Sequence, residues 1–183
     1  MMSDGETIKN GNGSGNPPDS SSAAPRLKGL IGSFDRGIDS KLRIVLPSQF
    51  RDKLIGHPLI MMKWIKRSLV IFPECNWMPL AERISDLDLY TDTGLIVRHQ
   101  FFAHAREIKM DKKEGRLIVP EDMAEYGRLK DSNKIMILGD FDKITIWNYT
   151  YYQDQLAMDD VKFSESLPEV LTMAKDNGHS SHA

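Results

Sequence analysis

Residues 39–47 read DSKLRIVLP and residues 111–120 read DKKEGRLIVP. Each stretch is an aspartate, a short basic turn, an arginine, three aliphatic residues and a proline. The copies stand 72 positions apart at their aspartates and 73 at their arginines. The triplets Ile44-Val45-Leu46 and Leu117-Ile118-Val119 are short β-branched runs that read as buried strands. A second extended piece precedes each turn, ending at Ile38 and at Met110. Each half therefore opens as strand, turn, strand.

Working outward, each proline begins a short helix, because its missing N–H costs nothing in the first helical turn. PSQFRDKL places Phe50 and Leu54 on one face, and PEDMAEYG places Met123 and Tyr126 on one face. A second hairpin then follows in each half: LIMMKWI with SLVIF, and KIMIL with KITIW. Asn76 and Asn148 fall where helix N-caps belong, each between two aromatics, Phe72 and Trp77 in the first half and Trp147 and Tyr152 in the second. The segment TDTGLIVRHQFFAHA between the copies reads as a longer helix. The expected fold is α+β, mainly β. Its four short strands per copy cannot bury both faces alone, so two copies are expected to close one small barrel and remove exposed edges.

The remaining sequence bounds the function. The chain has 183 residues and 40% hydrophobic content, enough for a packed core. Residues 1–27 carry GNGSGNPPDSSSAAP and few large apolar side chains, and are expected to be disordered. They lack the basic start and apolar run of a signal peptide. No stretch is long and apolar enough for a membrane span. Cys75 is the sole cysteine, which excludes a disulfide framework and suits a reducing cytoplasm. The net charge is −2, yet Arg26 to Arg67 holds ten cations against three aspartates. Such local excess suits anion binding.

Several signals carry nothing further. GNGSGN at 11–16 lacks the strand and helix of a phosphate loop. His99 and His104 fit no common metal spacing, and Asp86, Asp88 and Asp92 lack a glycine-centred ligand loop. His179 and His182 lie in an acidic tail expected to be loose after about Leu156. No nucleophile–base pair or convergent acid pair points to an enzyme, and no cofactor or small-molecule substrate is indicated.

Taken together, DSKLRIVLP followed by SQF, the second DKKEGRLIVP, the FP…W and IW…Y closings and RHQFFAHA resemble the MraZ family, over about Gly32 to Tyr152. That family carries two tandem SpoVT-AbrB modules. The resemblance implies residues 28–76 as the first module, 77–104 as a helical connection, 105–151 as the second module, and 152–183 as a terminal helix with a disordered acidic tail. It implies a pseudo-symmetric barrel of swapped hairpins, a ring of subunits, and a cytoplasmic, nucleoid-associated protein. It also implies sequence-specific binding to repeats in double-stranded promoter DNA of the division and cell-wall genes. The family's D-x-x-x-R turn falls on Asp39 and Arg43 with Lys41 between them, and on Asp111 and Arg116 with Lys112 and Lys113. An AbrB-fold protein-interaction module of the antitoxin kind is the alternative.

Chemistry supports those roles. An arginine can grip guanine O6 and N7 with two hydrogen bonds. Lys41, Lys112 and Lys113 suit phosphate contacts. Asp39 and Asp111 are expected to cap their turns or hold the arginines. A purely structural reading has each Asp–Arg pair only stapling its hairpin. Two departures stand out: Leu42 occupies the position where the family has glycine, kept here as Gly115, and the second turn is one residue longer.

Overall fold

The structure, a computed structural model, describes residues 25–87 and 91–177. Asp88, GNGSGN, His179, His182 and most of the lead expected to be disordered lie outside the described residues. The elements run β1 (Leu30–Gly37), β2 (Arg43–Val45), α1 (Ser48–Leu54), β3 (Leu59–Lys63), β4 (Leu69–Pro73) and α2 (Glu74–Ser85). They continue through α3 (Asp92–Ala103) to β5 (Arg106–Ile108), β6 (Arg116–Ile118), α4 (Glu121–Tyr126), β7 (Lys134–Phe141), β8 (Ile144–Asn148) and α5 (Tyr149–Asn177). The order ββαββα thus occurs twice, with α3 between.

Pairing interlocks the two runs. All ladders are antiparallel, and the six-stranded sheet has the order β1-β7-β8-β4-β3-β5. The order is palindromic. The first strand of each run pairs with the third strand of the other, β1 with β7 and β5 with β3, while the two closing strands β8 and β4 meet at the centre. The second strands, β2 and β6, form a separate two-stranded ribbon. The expected closure into a barrel is not among these ladders: β1 and β5 are the outer strands of the sheet, and β2 and β6 stand apart from it.

One core joins both runs. Ile44, Leu46, Phe50 and Leu54 from the first pack in the same cluster as Leu117, Val119, Met123 and Leu129 from the second. A smaller cluster of Met62, Val70, Phe72, Ala81 and Phe101 holds α2 and α3 on the sheet, with Trp77 stacked on Phe101 at 5.7 Å.

Three local expectations are corrected. Asn76 is not an N-cap: α2 starts two residues earlier, after Pro73, and Asn76 is buried inside it. Its side chain accepts from Leu27 N at 2.9 Å and donates to the carbonyls of Leu27 and Asp142. Leu27, assigned to the disordered lead, is therefore held. Asn148, by contrast, does cap α5, its Oδ1 accepting from Tyr151 N at 3.1 Å. The tail expected to be loose beyond Leu156 is instead helical as far as Asn177, through Pro168. Residues 149–177 contain no glycine, and Pro168 is accommodated within the helix.

Because each run lends its first strand to the other, neither half can satisfy its own ladders. Residues 25–104 and 105–177 produced as separate chains are expected to show no cooperative unfolding as monomers. Circular dichroism with sedimentation checks this, and a folded monomeric half contradicts the exchange. Leu117→Ala in the whole chain, a truncation at a fully buried site, is expected to cost about 2–5 kcal/mol in denaturant titration.

Candidate nucleic-acid interface

The two turns quoted from the sequence sit at opposite ends of the β2–β6 ribbon, because its strands run antiparallel and each turn precedes one of them. The register pairs Arg43 with Ile118, Ile44 with Leu117 and Val45 with Arg116. Side chains alternate along a strand, and directly opposed residues share a face. Ile44 and Leu117 point into the core, each 1% exposed. Arg43, Val45, Arg116 and Ile118 therefore share the outer face. The two arginines are diagonal neighbours there, a separation of about 7–8 Å in a regular ladder. Both line one open cleft of about 290 Å³ with Gly37, Ile38, Asp39 and Val45.

The first turn orients its own arginine. Asp39 Oδ1 accepts from the backbone N–H groups of Lys41 and Arg43, each at 2.9 Å, and Oδ2 accepts from Arg43 Nε at 2.6 Å. Asp39 N donates to Arg43 O at 3.2 Å and Leu42 N donates to Asp39 O at 2.9 Å. Leu42 takes φ +58°, the left-handed conformation that costs a side-chain-bearing residue about 1–2 kcal/mol and glycine little. The carboxylate steers Nε and, among the described residues, no other acceptor holds the guanidinium. The Arg43 backbone N–H holds the Asp39 carboxyl below its ordinary range against an opposing desolvation, with smaller help from the Arg43 side chain and the Lys41 N–H.

The second turn is built differently. Asp111 Oδ1 accepts from Lys113 N at 3.1 Å and Glu114 N at 2.7 Å, and Asp111 N donates to Arg116 O at 2.7 Å. The extra residue is absorbed by Gly115 at φ +69°. Asp111 caps this turn, but the Arg116 guanidinium goes to Glu114, Nη2 to Oε2 at 2.6 Å. Glu114 was not anticipated as a partner, although it lies within the quoted stretch. The lysines are exposed but not in the arginine cleft. Lys41 lines a cleft of about 610 Å³ with Glu121 and Lys130, and Lys112 lines one of about 360 Å³ with Lys109 and His57. Arg51, 62 residues from Lys113, donates from Nη1 to the Lys113 carbonyl at 3.4 Å, a contact with no local signal in the sequence.

Fold and site together define a hairpin-exchange α+β protein that presents a two-stranded ribbon bearing paired arginines. The sequence profile described as "MraZ protein, putative antitoxin-like" matches residues 101–172. A protein of Clostridium tetani named transcriptional regulator MraZ is 32% identical over 68% of this chain and 85% of its own length. One of the same name from Leuconostoc mesenteroides is 31% identical over 75% of this chain and 96% of its own length. The chain belongs to the MraZ family. No helix among the described residues is long and apolar enough to cross a membrane.

Asp39, with its folded-state pKa depressed, stabilises the first turn fully above the ordinary carboxylate range, and that contribution is lost as pH falls through the depressed value. The Lys41 and Arg43 amide resonances are expected to titrate together in that acid window in an NMR series. In Asp39→Asn that joint titration is expected to vanish.

Proposed function

We propose that this chain is a sequence-specific DNA-binding transcriptional regulator that acts on repeats in a bacterial promoter, that of the division and cell-wall gene cluster. The observation that carries this reading is the shared outer face of the ribbon, where Arg43 and Arg116 line one cleft beside exposed Val45 and Ile118. A two-stranded ribbon fits the major groove. There the arginines have the geometry to grip guanines, and the aliphatic pair suits thymine methyls. Lys41, Lys112 and Lys113 flank the ribbon as phosphate contacts that set register. Asp39 and Asp111 act as turn-orienting residues, the first through Arg43 and the second through the turn backbone.

The names of the relatives support regulation rather than catalysis. The reading needs no cofactor or small-molecule substrate, and it places the protein in the cytoplasm on the nucleoid. The palindromic strand order supports two duplicated SpoVT-AbrB modules, 28–76 and 105–151, in a barrel-like pseudo-two-fold arrangement. A single chain with net charge −2 offers one ribbon and few cations. A ring of copies offers many ribbons at fixed spacing, so adjacent DNA repeats gain from effective concentration. One observation favours an additional protein partner, as in the antitoxin-like alternative: α5 carries Phe163, Leu167 and Val170 exposed on spacings of four and three.

Fluorescence anisotropy with repeat-containing and scrambled duplexes, over a range of salt, tests the reading. Arg43→Ala is expected to lose about 1–3 kcal/mol of discrimination between the duplexes while the oligomer in size-exclusion chromatography is unchanged. Lys112→Ala is expected to weaken both duplexes alike and to lower the salt slope by about 0.9. Equal binding of both duplexes by the unaltered chain would exclude sequence readout.

A further inference from the structure

The two turns solve one packing problem in opposite ways. Each contains a residue at positive φ, Leu42 at +58° and Gly115 at +69°. Each of these residues accepts, through its carbonyl, a hydrogen bond from the residue before the other run's proline: Val119 N to Leu42 O at 2.9 Å, and Leu46 N to Gly115 O at 3.0 Å. The two positions are therefore equivalent in the fold. What covers them is not. Leu42 brings its own side chain, half-buried against the core cluster that includes Ala124. Gly115 has none, yet it is buried.

The cover over Gly115 comes from α1 of the other run. Arg51 Cδ, Cγ and Cβ lie 2.8, 3.0 and 3.3 Å from where a Cβ on Gly115 would be. The same side chain reaches Lys113 O through Nη1, and its Nε donates to Asp52 Oδ1 at 2.9 Å. Counting four residues from each proline, Arg51 follows Pro47 as Ala124 follows Pro120. A small helix residue thus goes with a large turn residue in one half, and a large helix residue with a glycine in the other.

We propose that Arg51 is the positioning residue of the second turn. Its alkyl stem fills the space over Gly115, and its guanidinium holds the Lys113 carbonyl, so the approach of Arg116 to DNA is set by a helix of the other run. The first turn is held by Asp39 and Leu42 from within. The second is capped from within by Asp111 but takes its cover over Gly115 from α1, and among the described residues the Arg116 guanidinium is tied only to the exposed Glu114. The affinity consequence rests on the DNA-binding reading; the positioning itself does not.

The test uses the full chain and two readouts, hydrogen exchange of the peptides spanning 39–43 and 111–116, and anisotropy with the repeat-containing duplex. Arg51→Ala is expected to speed exchange in 111–116 about tenfold and leave 39–43 unchanged, with affinity for the duplex falling about tenfold. Arg51→Met keeps the stem and removes the charge, and is expected to restore most of the protection and most of the affinity. Should Arg51→Ala unfold the chain, Arg51→Ala with Gly115→Leu copies the first turn's arrangement and is expected to refold with 111–116 protected.

Unchanged exchange in 111–116 on Arg51→Ala overturns the proposal, as does an Arg51→Met chain whose turn stays unprotected. An Arg51→Met chain with normal exchange but the weak binding of Arg51→Ala also overturns it, making Arg51 a phosphate contact instead. If the unaltered chain binds no duplex, the DNA reading fails while the exchange results still decide the positioning.

Discussion

The structure depends on the pairing of β2 with β6. Three residue pairs join the two runs in this ribbon, with Ile44 and Leu117 buried side by side at its centre. That contact brings two segments 73 positions apart into one ladder. It also turns two separate loops into the two ends of a single surface feature. The palindromic sheet beneath it follows the same logic, since every outer strand of one run is closed by a strand of the other. Hydrophobic burial holds the ribbon down, and alternation along the strands then leaves its arginines no side but the outer one.

Electrostatics within the turns follows from how each aspartate is used. Asp39 spends one oxygen on two backbone N–H groups and the other on Arg43, so the turn and the arginine are ordered by one side chain. The second turn divides these tasks: Asp111 caps the backbone, Glu114 meets Arg116, and Arg51 closes the space above Gly115. Both arginine–carboxylate pairs are exposed and individually weak, but only Asp39 is itself fixed by the backbone N–H groups of its own turn. The two ends of the ribbon are thus unequal in preorganisation although both turns run from an aspartate to an arginine.

Much of the element order was legible from particular residues. The proline-started helices and the paired hairpins stand where the spacing predicted them, whereas the triplets expected to be buried strands start one residue earlier, at the arginines, and leave Val45 and Ile118 exposed. The asparagines show where such reading stops. Asn148 caps a helix as its local sequence suggests, whereas Asn76, with a similar local setting, is drawn into the helix to bind Leu27 and Asp142. Local pattern could not separate them, because the difference lies in a strand entry 49 residues away. α5 marks a second limit: an acidic, polar composition is compatible with loose chain, yet these residues are helical to Asn177.

By itself, the sequence determined the repeated unit and the two Asp-to-Arg turns, since these follow from turn capping and hydrophobic period. Only the tertiary structure decided that the two triplets pair with each other, that the arginines share one cleft, and that Arg51 covers the second turn. Those outcomes depend on which distant strand meets which, a choice made by burying one common core rather than by any short stretch of chain.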